Sequence, residues 1–520
     1  MVNDSSKRMT KSAFLMMAIS FVSLLFSFIQ ESVFAFFFGA NSVTDAYTIA
    51  TQIPITLFSI VSTAISTIVI PCYSKEYFGK GAKPAQKYAS NLTTVICAVT
   101  IIFIIVCELF SQPLMLIFAP GMEEETRKLA IECFRIVLPT VLFTGIMNIN
   151  IGVLNVHKKF VLPALTSNIL NLTFVVSIVI LHDKFGIFAA IFGTVCGTLL
   201  ELVYSVLLRR QVLKYSFVVD LKDETMKQSI RMMAPVFWGI GAAEINKVVD
   251  KIVSSYLQSG SITIMNYASK LSSAVSTLLI SGITTVIYPE LSENSANKND
   301  KGMAEVFTYS IKLFMIIVIP IIFGGVVLCK EIIKIIYYRG EFSLDDIDRT
   351  APLFACYLVC LLFTTFRQTS SRVFYSYGDS KTPMYNSLIG IVLNIILNIV
   401  LGYFFDAFGL VLATTISTAF ISFLLLYKVK KKLPILKYIT MFKVFIKCFI
   451  SASVMATVIY VLKKMFLYLN LYNYYSQIDN IICVLALVAL GCICYFGCLI
   501  LFRVEEAKLI IRSFVKMKKN

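Results

Sequence analysis

The sequence predicts an all-α membrane protein that crosses the bilayer many times. Of its 520 residues, 58% are hydrophobic and only 15% are charged, and the mean hydropathy is +0.81. Its apolar residues form runs of about 20 or more, the length that a helix needs to span a bilayer. These runs are too long for strands and lack the alternation of a membrane β-barrel. We therefore predict a polytopic bundle of fourteen transmembrane helices.

The spans can be marked from the first apolar run to the last. Lys7, Arg8 and Lys11 precede the first run, as they would in a signal peptide. That run is longer than the apolar part of a signal peptide, and no clear small-residue cleavage site closes it, so we interpret it as a retained helix. The fourteen predicted spans are approximately 12–38, 46–72, 89–112, 128–153, 160–181, 186–208, 229–256, 262–289, 307–329, 350–377, 383–404, 408–428, 442–464 and 479–502.

Topology explains the net charge of +17. With both termini in the cytoplasm, the basic clusters face the cytoplasm and the acidic turn 120–127 faces outside, as the positive-inside rule requires. Such clusters also suit contact with anionic lipid head groups, and we expect no nucleic-acid partner. The clusters lie at 75–87, 209–231, 428–447 and 503–519.

The sequence favours neither an enzyme nor a metal protein. Cys492, Cys494 and Cys498 resemble a metal cluster, but no His or acid nearby completes a tetrahedral set. The catalytic and nucleotide-binding signatures GxSxG, HExxH, Walker A and GxGxxG are absent. We expect no cofactor. Transport would then draw on an ion gradient, the membrane potential or the substrate's own gradient, which leaves room for a coupling cation of unknown identity.

The chain contains an internal duplication. Five pairs of landmarks recur in order at offsets of 218 to 223 residues. The offset spans six predicted helices, an even number, so both copies enter the membrane from the same side and form a parallel repeat. The pairs are Pro71 and Pro289, Gly121 and Gly340, Pro163 and Pro383, Gly186 and Gly409, and Tyr47 and Tyr267.

The repeat predicts a domain organisation and a mechanism. We expect an N-terminal lobe at 1–208, a cytoplasmic linker at 209–228, a C-terminal lobe at 229–430, and two further helices with a basic tail at 431–520. Two such lobes would enclose a central cleft, and rocking would expose that cleft to each side in turn. The duplication therefore predicts a transporter, with an inert structural bundle as the alternative.

Polar side chains within the spans mark the predicted cleft. A charge at the bilayer centre costs on the order of 2.5–3.5 kcal/mol, so it indicates a wet cavity or a charged partner. Lysines there suit an anionic head group, and the acids could bind a coupling cation or form switching salt bridges. The predicted substrate-binding residues are Gln30, Glu31, Asp45, Gln52, Lys247, Asp250, Lys251, Lys270 and Arg367.

Several of these residues have a structural alternative. Glu31 could pair with Lys251 or Lys270 and lock the lobes together. Lys247 and Lys251 could instead extend to the outer interface.

Residue spacing on two spans predicts local contacts. On span 7, Glu244 and Lys247 lie at i and i+3, and Asn246 and Asp250 lie at i and i+4, so each pair shares a face. Asn394 and Asn398 on span 11 lie at i and i+4 and are predicted to hydrogen-bond to a neighbouring helix, with contact to a substrate as the alternative.

Five stretches resemble the MurJ (MviN) family of lipid II flippases, within the multidrug/oligosaccharidyl-lipid/polysaccharide exporter superfamily. The resemblance runs in order from about residue 12 to 430, and its most specific blocks are RGEF and GDSKTP. The five stretches are FFFGANSVTDAYTIATQIP, INKVVDKIVSSYLQSGSITIMNYASKL, RGEFSLDDIDRTAPLFACY, RVFYSYGDSKTPMYN and GLVLATTIST.

This resemblance implies a function, a location and partners. The family flips a lipid-linked peptidoglycan precursor from the inner to the outer leaflet of the bacterial plasma membrane. The implied partners are an undecaprenyl-pyrophosphate-linked saccharide, membrane lipids and cell-wall synthesis proteins, and a monomer is expected. The fourteen spans also fit, with the last two as the family's extra pair.

The sequence departs from the family where substrate binding is expected. Cavity-facing arginines of the family's first two helices are replaced here, while Lys270 keeps the basic position of span 8. The corresponding positions are Leu24, Gln30, Phe58 and Ser59, and Ser273 stands where the family has an acid. Glu31 and Asp45 keep the acids of the first two helices.

This departure leaves alternatives open. Lys247, Lys251 and Arg367 could replace the missing arginines, or the substrate could be another undecaprenyl-linked saccharide. A cation-coupled drug exporter of the same superfold and a non-transporting scaffold of a cell-wall synthesis complex are further hypotheses.

Overall fold

Helices make up nearly all of the computed structural model, which describes residues 2–159, 165–468 and 477–506. Within these ranges there is no strand; most helices are joined by short turns, and a longer linker at 211–223 joins α8 to α9. The helices are α1 (Val2–Phe38), α2 (Ser42–Lys80), α3 (Ala82–Leu109), α4 (Ser111–Phe118), α5 (Glu124–Val137), α6 (Pro139–Val156), α7 (Thr166–Phe185), α8 (Phe188–Arg210), α9 (Glu224–Ser254), α10 (Ser261–Ala296), α11 (Asp300–Val327), α12 (Cys329–Tyr337), α13 (Leu344–Ser376), α14 (Lys381–Lys432), α15 (Tyr438–Tyr468) and α16 (Gln477–Leu501).

The chain is a multi-pass membrane protein. Among the described residues, 11 helical segments are long and apolar enough to cross a bilayer. The prediction of an all-α polytopic protein is confirmed, and the count of fourteen spans stays a prediction.

Helix α14 holds two of the predicted spans. A straight helix of its 52 residues would be about 78 Å long, more than twice the thickness of a bilayer core. The helix breaks at Asp406, which has a φ of +52°. The chain then reverses, because Asn386 Nδ2 donates to the Ile421 carbonyl at 2.8 Å and Asn394 Nδ2 contacts Ser417 Oγ at 3.3 Å. These amides join the two arms of the hairpin, as predicted for Asn394.

Residue contacts divide the chain into two units. The first comprises Met1–Thr263 and Arg339–Phe342, and the second comprises Ile264–Tyr338 and Ser343–Asn520. Helix α9 packs on α2 and belongs to the first unit, whereas the repeat assigns it to the second lobe. The predicted lobe boundaries were drawn from the sequence repeat, whereas the two units are defined by residue contacts. The lobe boundaries therefore stay a prediction.

The order of helices repeats along the chain. Helices α2, α3, α4 and α5 begin at residues 42, 82, 111 and 124, and α10, α11, α12 and α13 begin 219, 218, 218 and 220 residues later. In each set a short third helix precedes a glycine-containing turn. This order agrees with the offsets of the sequence landmarks.

Helix α2 is the centre of the first unit, where it packs against α3, α5, α6 and α9. Its residues Ile65, Val69 and Tyr73 are buried against Leu92 of α3 and against α6. In a bilayer, helices associate through close van der Waals packing, which small residues permit. Gly152 of α6 is such a residue, because a Cβ there would lie 2.4 Å from Val69 Cγ1.

The second unit packs α13 against α14 and α11 against α15, which in turn contacts α16. Gly325 of α11 approaches Leu358 of α13 closely, since a Cβ on Gly325 would lie 2.3 Å from Leu358 Cδ1. The hydroxyl of Tyr495 donates to the Ile316 carbonyl at 3.0 Å. The last two helices therefore pack on α11 as part of this unit.

Candidate functional site

Four turns meet at one end of the first unit, the end that the positive-inside rule assigns to the outside. We call residues 39–41, 119–123, 255–263 and 339–342 the outer turn cluster. The Glu341 N–H donates to the Phe36 carbonyl at 2.9 Å, and the Gly121 N–H donates to Ser255 Oγ at 3.1 Å. The cluster therefore brings together turns that are far apart in the chain.

Glycine is required where these turns touch. Gly260 has a φ of +82° and Gly340 a φ of +54°, a region that favours glycine because it has no Cβ. A Cβ at Gly260 would lie 2.4 Å from the Ala40 carbonyl oxygen, and one at Gly340 would lie 2.1 Å from the Phe36 carbonyl oxygen. The backbones can approach this closely only because neither residue has a side chain.

Asp45 holds the start of α10 within this cluster. Its Oδ2 accepts the Gly260 N–H at 2.7 Å, while Oδ1 accepts the N–H and the hydroxyl of Thr263 at 2.9 and 2.7 Å. These backbone donors lie at a helix N-terminus, where intrahelical partners are lacking and the dipole favours an anion. Asp45 is only 5% exposed, so these contacts are shielded from water.

The start of α2 positions Asp45. Asn41 Oδ1 accepts the N–H groups of Val43 and Thr44, and Thr44 Oγ1 accepts the Asn41 N–H at 2.9 Å. This capping box starts the helix and places Asp45 in its first turn.

A small cavity lies beside Asp45. Its volume is about 110 Å³, and its lining includes Ser42, Glu123, Thr126 and Ser259. A water molecule occupies about 30 Å³, so the cavity could hold a few waters and is too small for a saccharide head group.

The other predicted site residues of the first unit lie on α1, α2 and α9. Glu31 is buried, and Gln30 and Gln52 are half-buried. Their placement within the spans agrees with the sequence, and their substrate-binding role stays a prediction.

Polar residues of α9 pair as their spacing predicts. Lys247 Nζ lies 2.9 Å from Glu244 Oε1, and Asn246 Nδ2 donates to Asp250 Oδ2 at 3.4 Å. Lys251 attracts the carboxylates of both Asp250 and Asp45.

Two predicted site residues belong to the second unit. Lys270 is exposed on α10, and Arg367 is half-buried on α13. The Arg367 Nε is buried and has no hydrogen-bond partner among the residues that the structure describes. Contact of either residue with substrate stays a prediction.

Side chains of α3 hold the linker after α8, a contact that was not predicted from the sequence. Asn91 Nδ2 donates to the Asp220 carbonyl at 2.7 Å, and Asn91 Oδ1 accepts the Asp220 N–H at 2.9 Å. Ser90 Oγ accepts the Ser216 N–H, and the Lys87 ammonium lies 2.9 Å from Asp220 Oδ2. We call residues 87–94 and 215–223 the linker clasp. Polar residues in ASNLTT, at the start of an apolar span, were the available signal.

Arg209, the first residue of the basic cluster at 209–231, is buried and is therefore an exception to the predicted contact of that cluster with lipid head groups. It is 4% exposed, and its Nη1 donates to Asn150 Oδ1 at 2.8 Å. Its guanidinium lies 5.8 Å from the centre of the Tyr215 ring, within cation–π range. Arg209 therefore stabilises the linker clasp from within the protein.

Within the described ranges, no group of three or more His, Cys, Asp or Glu side chains could hold a metal ion. Cys492, Cys494 and Cys498 are free thiols on α16. The expectations about cofactors and a coupling ion stay predictions.

Comparison with known proteins gives consistent matches over most of the chain. A family model described as "Lipid II flippase MurJ" matches residues 34–478. A probable lipid II flippase MurJ of Rickettsia prowazekii (strain Madrid E) is 24% identical over 500 residues, covering 95% of this chain and 98% of the relative. One of Vibrio cholerae serotype O1 is 26% identical over 444 residues, covering 81% and 83%.

Solved structures match as well. A lipid II flippase MurJ in an inward closed conformation superimposes with a TM-score of 0.77 and 26% identity, covering 94% of this chain and 100% of that one. An inward-facing multidrug resistance MATE family transporter of the MOP superfamily gives a TM-score of 0.67 at 13% identity, covering 81% and 98%. The second match shows the shared fold alone.

Proposed function

The chain belongs to the MurJ family of lipid II flippases, and from this premise we propose that it flips lipid II across the bilayer by alternating access. The supporting observation is the outer turn cluster, in which Asp45 and the close backbone approaches of Gly260 and Gly340 hold the turns together. This cluster acts as the outer gate and opens when the head group leaves toward the outside.

The contacts of the cluster suit a gate. Hydrogen bonds to a buried carboxylate are about twice as strong as neutral ones, but they act only at short range. A small separation of the turns therefore breaks them together. The Asp45 carboxylate would then be free to meet water or a cation.

We infer that the head group is bound by the polar residues that the sequence predicts for this role. Lys247, Lys251, Lys270 and Arg367 provide positive charge for the pyrophosphate, and Gln30, Glu31, Gln52, Asp45 and Asp250 provide hydrogen bonds or balance that charge. In this chain the positive charge therefore comes from helices other than the first two. Phe58 supports this proposal, because it replaces a family arginine and is buried with its ring near Gly145.

The replacement of the family arginines favours a second candidate function, the flipping of another undecaprenyl-pyrophosphate-linked saccharide. Loss of positive charge from the first two helices could accompany a different head group. The rest of the mechanism would be unchanged.

The protein is a transporter without a catalytic centre, acting as a monomer in the bacterial plasma membrane with both termini in the cytoplasm. Its partners are the lipid-linked saccharide, membrane lipids and cell-wall synthesis proteins. Flipping draws on the membrane potential, an ion gradient or the substrate's gradient, and it needs no organic cofactor.

Transport in proteoliposomes tests this function. The full-length protein is reconstituted with lipid II on one leaflet, and arrival on the other is measured with a membrane-impermeant probe, with and without a membrane potential. We expect transfer above the rate of protein-free vesicles, and a severalfold loss in Lys270→Ala with no loss in the exposed control Lys128→Ala. Transfer of a different undecaprenyl-linked saccharide but not of lipid II would overturn the substrate assignment.

A further inference from the structure

A charged cavity lies in the second unit, apart from every residue predicted to bind the transported head group. It has a volume of about 240 Å³ and lies between α12, the start of α13 and the end of α15. By the predicted topology, these elements meet at the outer surface of the membrane. The cavity has room for roughly eight waters, or for a compact polar head group.

An ion pair forms part of the cavity lining. Lys463 Nζ lies 2.6 Å from Glu331 Oε1, and both side chains are largely buried. Glu331 is only 9% exposed, and its Oε2 is buried without a hydrogen-bond partner in the ranges that the structure describes. A buried carboxylate oxygen without a partner is costly, so a ligand that donates a hydrogen bond would stabilise this side of the cavity.

The lining carries a net positive charge. Lys330, Lys334 and Lys463 stand against the carboxylates of Glu331 and Asp348, which leaves one formal positive charge. Lys330 pairs with Asp348 at 2.6 Å at the exposed rim. A ligand with one negative charge would therefore neutralise the cavity, and lysine ammonium groups bind phosphate as point charges.

Apolar residues adjoin the charged ones. Leu344 is 47% exposed and Leu467 is 42% exposed, and both line the cavity. Helix α12 has the sequence CKEIIKIIY. Its charged residues Lys330 and Glu331 precede Lys334 by four and three residues, so the three share one face, and isoleucines occupy the positions between them. Such an amphipathic helix suits the membrane interface. A ligand that combines a charged group with an apolar chain fits this arrangement.

We propose that this cavity binds a phospholipid head group of the outer leaflet, one with a single phosphodiester charge and a neighbouring hydroxyl donor, as in phosphatidylglycerol. The phosphate lies against Lys334 and the cationic side of the lining, while the glycerol hydroxyl donates to Glu331 Oε2. The acyl chains leave along Leu344 and Leu467. This site is separate from flipping and does not depend on the transported substrate.

Native mass spectrometry of the full-length protein tests the proposal. The protein is titrated with phosphatidylglycerol and with phosphatidylmethanol, which has the same charge but no hydroxyl. We expect tighter binding of phosphatidylglycerol. A lysine near the membrane surface contributes about 1 kcal/mol to binding an anionic lipid, so Lys334→Gln should weaken binding of both lipids about fivefold. The exposed Lys128 of α5 supplies the matched control, and Lys128→Gln should leave both affinities unchanged.

Glu331→Gln separates the hydroxyl contact from the charge. We expect this variant to lose the preference for phosphatidylglycerol over phosphatidylmethanol. If the unpaired Lys463 prevents folding, the double variant E331Q/K463Q removes both charges together and tests the same preference.

Three results would overturn the proposal. One is equal affinity of the wild type for the two lipids, and another is unchanged binding in Lys334→Gln. The third is displacement of the bound lipid by an equal concentration of inorganic phosphate, which would identify a site for free phosphate instead of a lipid.

Discussion

The outer turn cluster and the linker clasp join the segments of the first unit in different ways. At the outer cluster, Gly260 and Gly340 lie against the carbonyl groups of Ala40 and Phe36, and a single buried carboxylate, Asp45, holds the start of α10. At the clasp, polar side chains of α3 hold an extended linker, and an exposed ion pair between Lys87 and Asp220 lies at its edge.

The difference predicts how each region responds to change. The close contacts of Gly260 and Gly340 with neighbouring carbonyl groups leave no room for a Cβ, so any substitution of these glycines breaks them. Side-chain contacts at a hydrated surface can be lost one at a time, since water replaces each partner. The two kinds of contact therefore predict that the outer turn cluster opens abruptly and that the linker clasp loosens gradually, and the four substitutions below test this comparison.

Gly340→Ala should have the largest effect. Its Cβ would lie 2.1 Å from the Phe36 carbonyl oxygen, and the left-handed backbone costs about 1–2 kcal/mol for a residue other than glycine. Overpacking adds about 1–3 kcal/mol. We expect a loss of several degrees in the apparent Tm of the purified protein. Gly186→Ala is the control, because Gly186 also has positive φ but has open space around it. Equal losses in the two variants would contradict a role for close backbone contact.

Asp45→Asn should rank second. The amide keeps the shape but loses the charge that strengthens three hydrogen bonds, each of which contributes about 1.5–3 kcal/mol when the acceptor is charged. We expect a net loss of about 2 kcal/mol, since the amide oxygen still accepts part of this set. The measurement is chemical unfolding in detergent, with the exposed Asp183→Asn as control. Stability equal to that of the wild type would argue against Asp45 as the main contact of the gate.

Asn91→Ala should have a smaller effect. It removes two hydrogen bonds to the Asp220 backbone, each contributing about 1 kcal/mol. We expect faster trypsin cleavage at Lys214 or Lys222 in the released linker, with the fold otherwise intact. Lys83→Ala, at an exposed position of the same helix, is the control. An unchanged cleavage rate would show that other contacts hold the linker.

Asp220→Asn should have the smallest effect, and that effect should depend on pH. The hydrogen bond from Lys87 lowers the pKa of Asp220. A lowered folded-state pKa means that the carboxylate stabilises the clasp above the unfolded value of about 3.9 and loses this effect as the pH falls through the folded value. The difference in apparent Tm between wild type and variant should be measurable at pH 7 and vanish at lower pH. A difference that grows as the pH falls would refute the assignment.

The sequence indicated much of the site but not the contacts of its members. Spacing on one helix predicted the Glu244–Lys247 and Asn246–Asp250 pairs, because neighbours three or four residues apart share a helix face. Asp45 was predicted to contact substrate, and that role is still a prediction, yet its three hydrogen bonds come from residues 215 and 218 positions away. No local pattern could have identified those partners.

By itself, the sequence determined that this chain is a helical membrane protein, where most of its helices run and that its order of elements repeats. Length and periodicity are local properties, and the bilayer requires helices to satisfy their own backbone groups. Only the tertiary structure decided that Arg209 is buried beside the linker clasp and that Gly260 and Gly340 lie against the carbonyl groups of Ala40 and Phe36. Those outcomes depend on which distant segments meet, and the hydrogen bonds and close packing formed there have no signature in any one stretch of sequence.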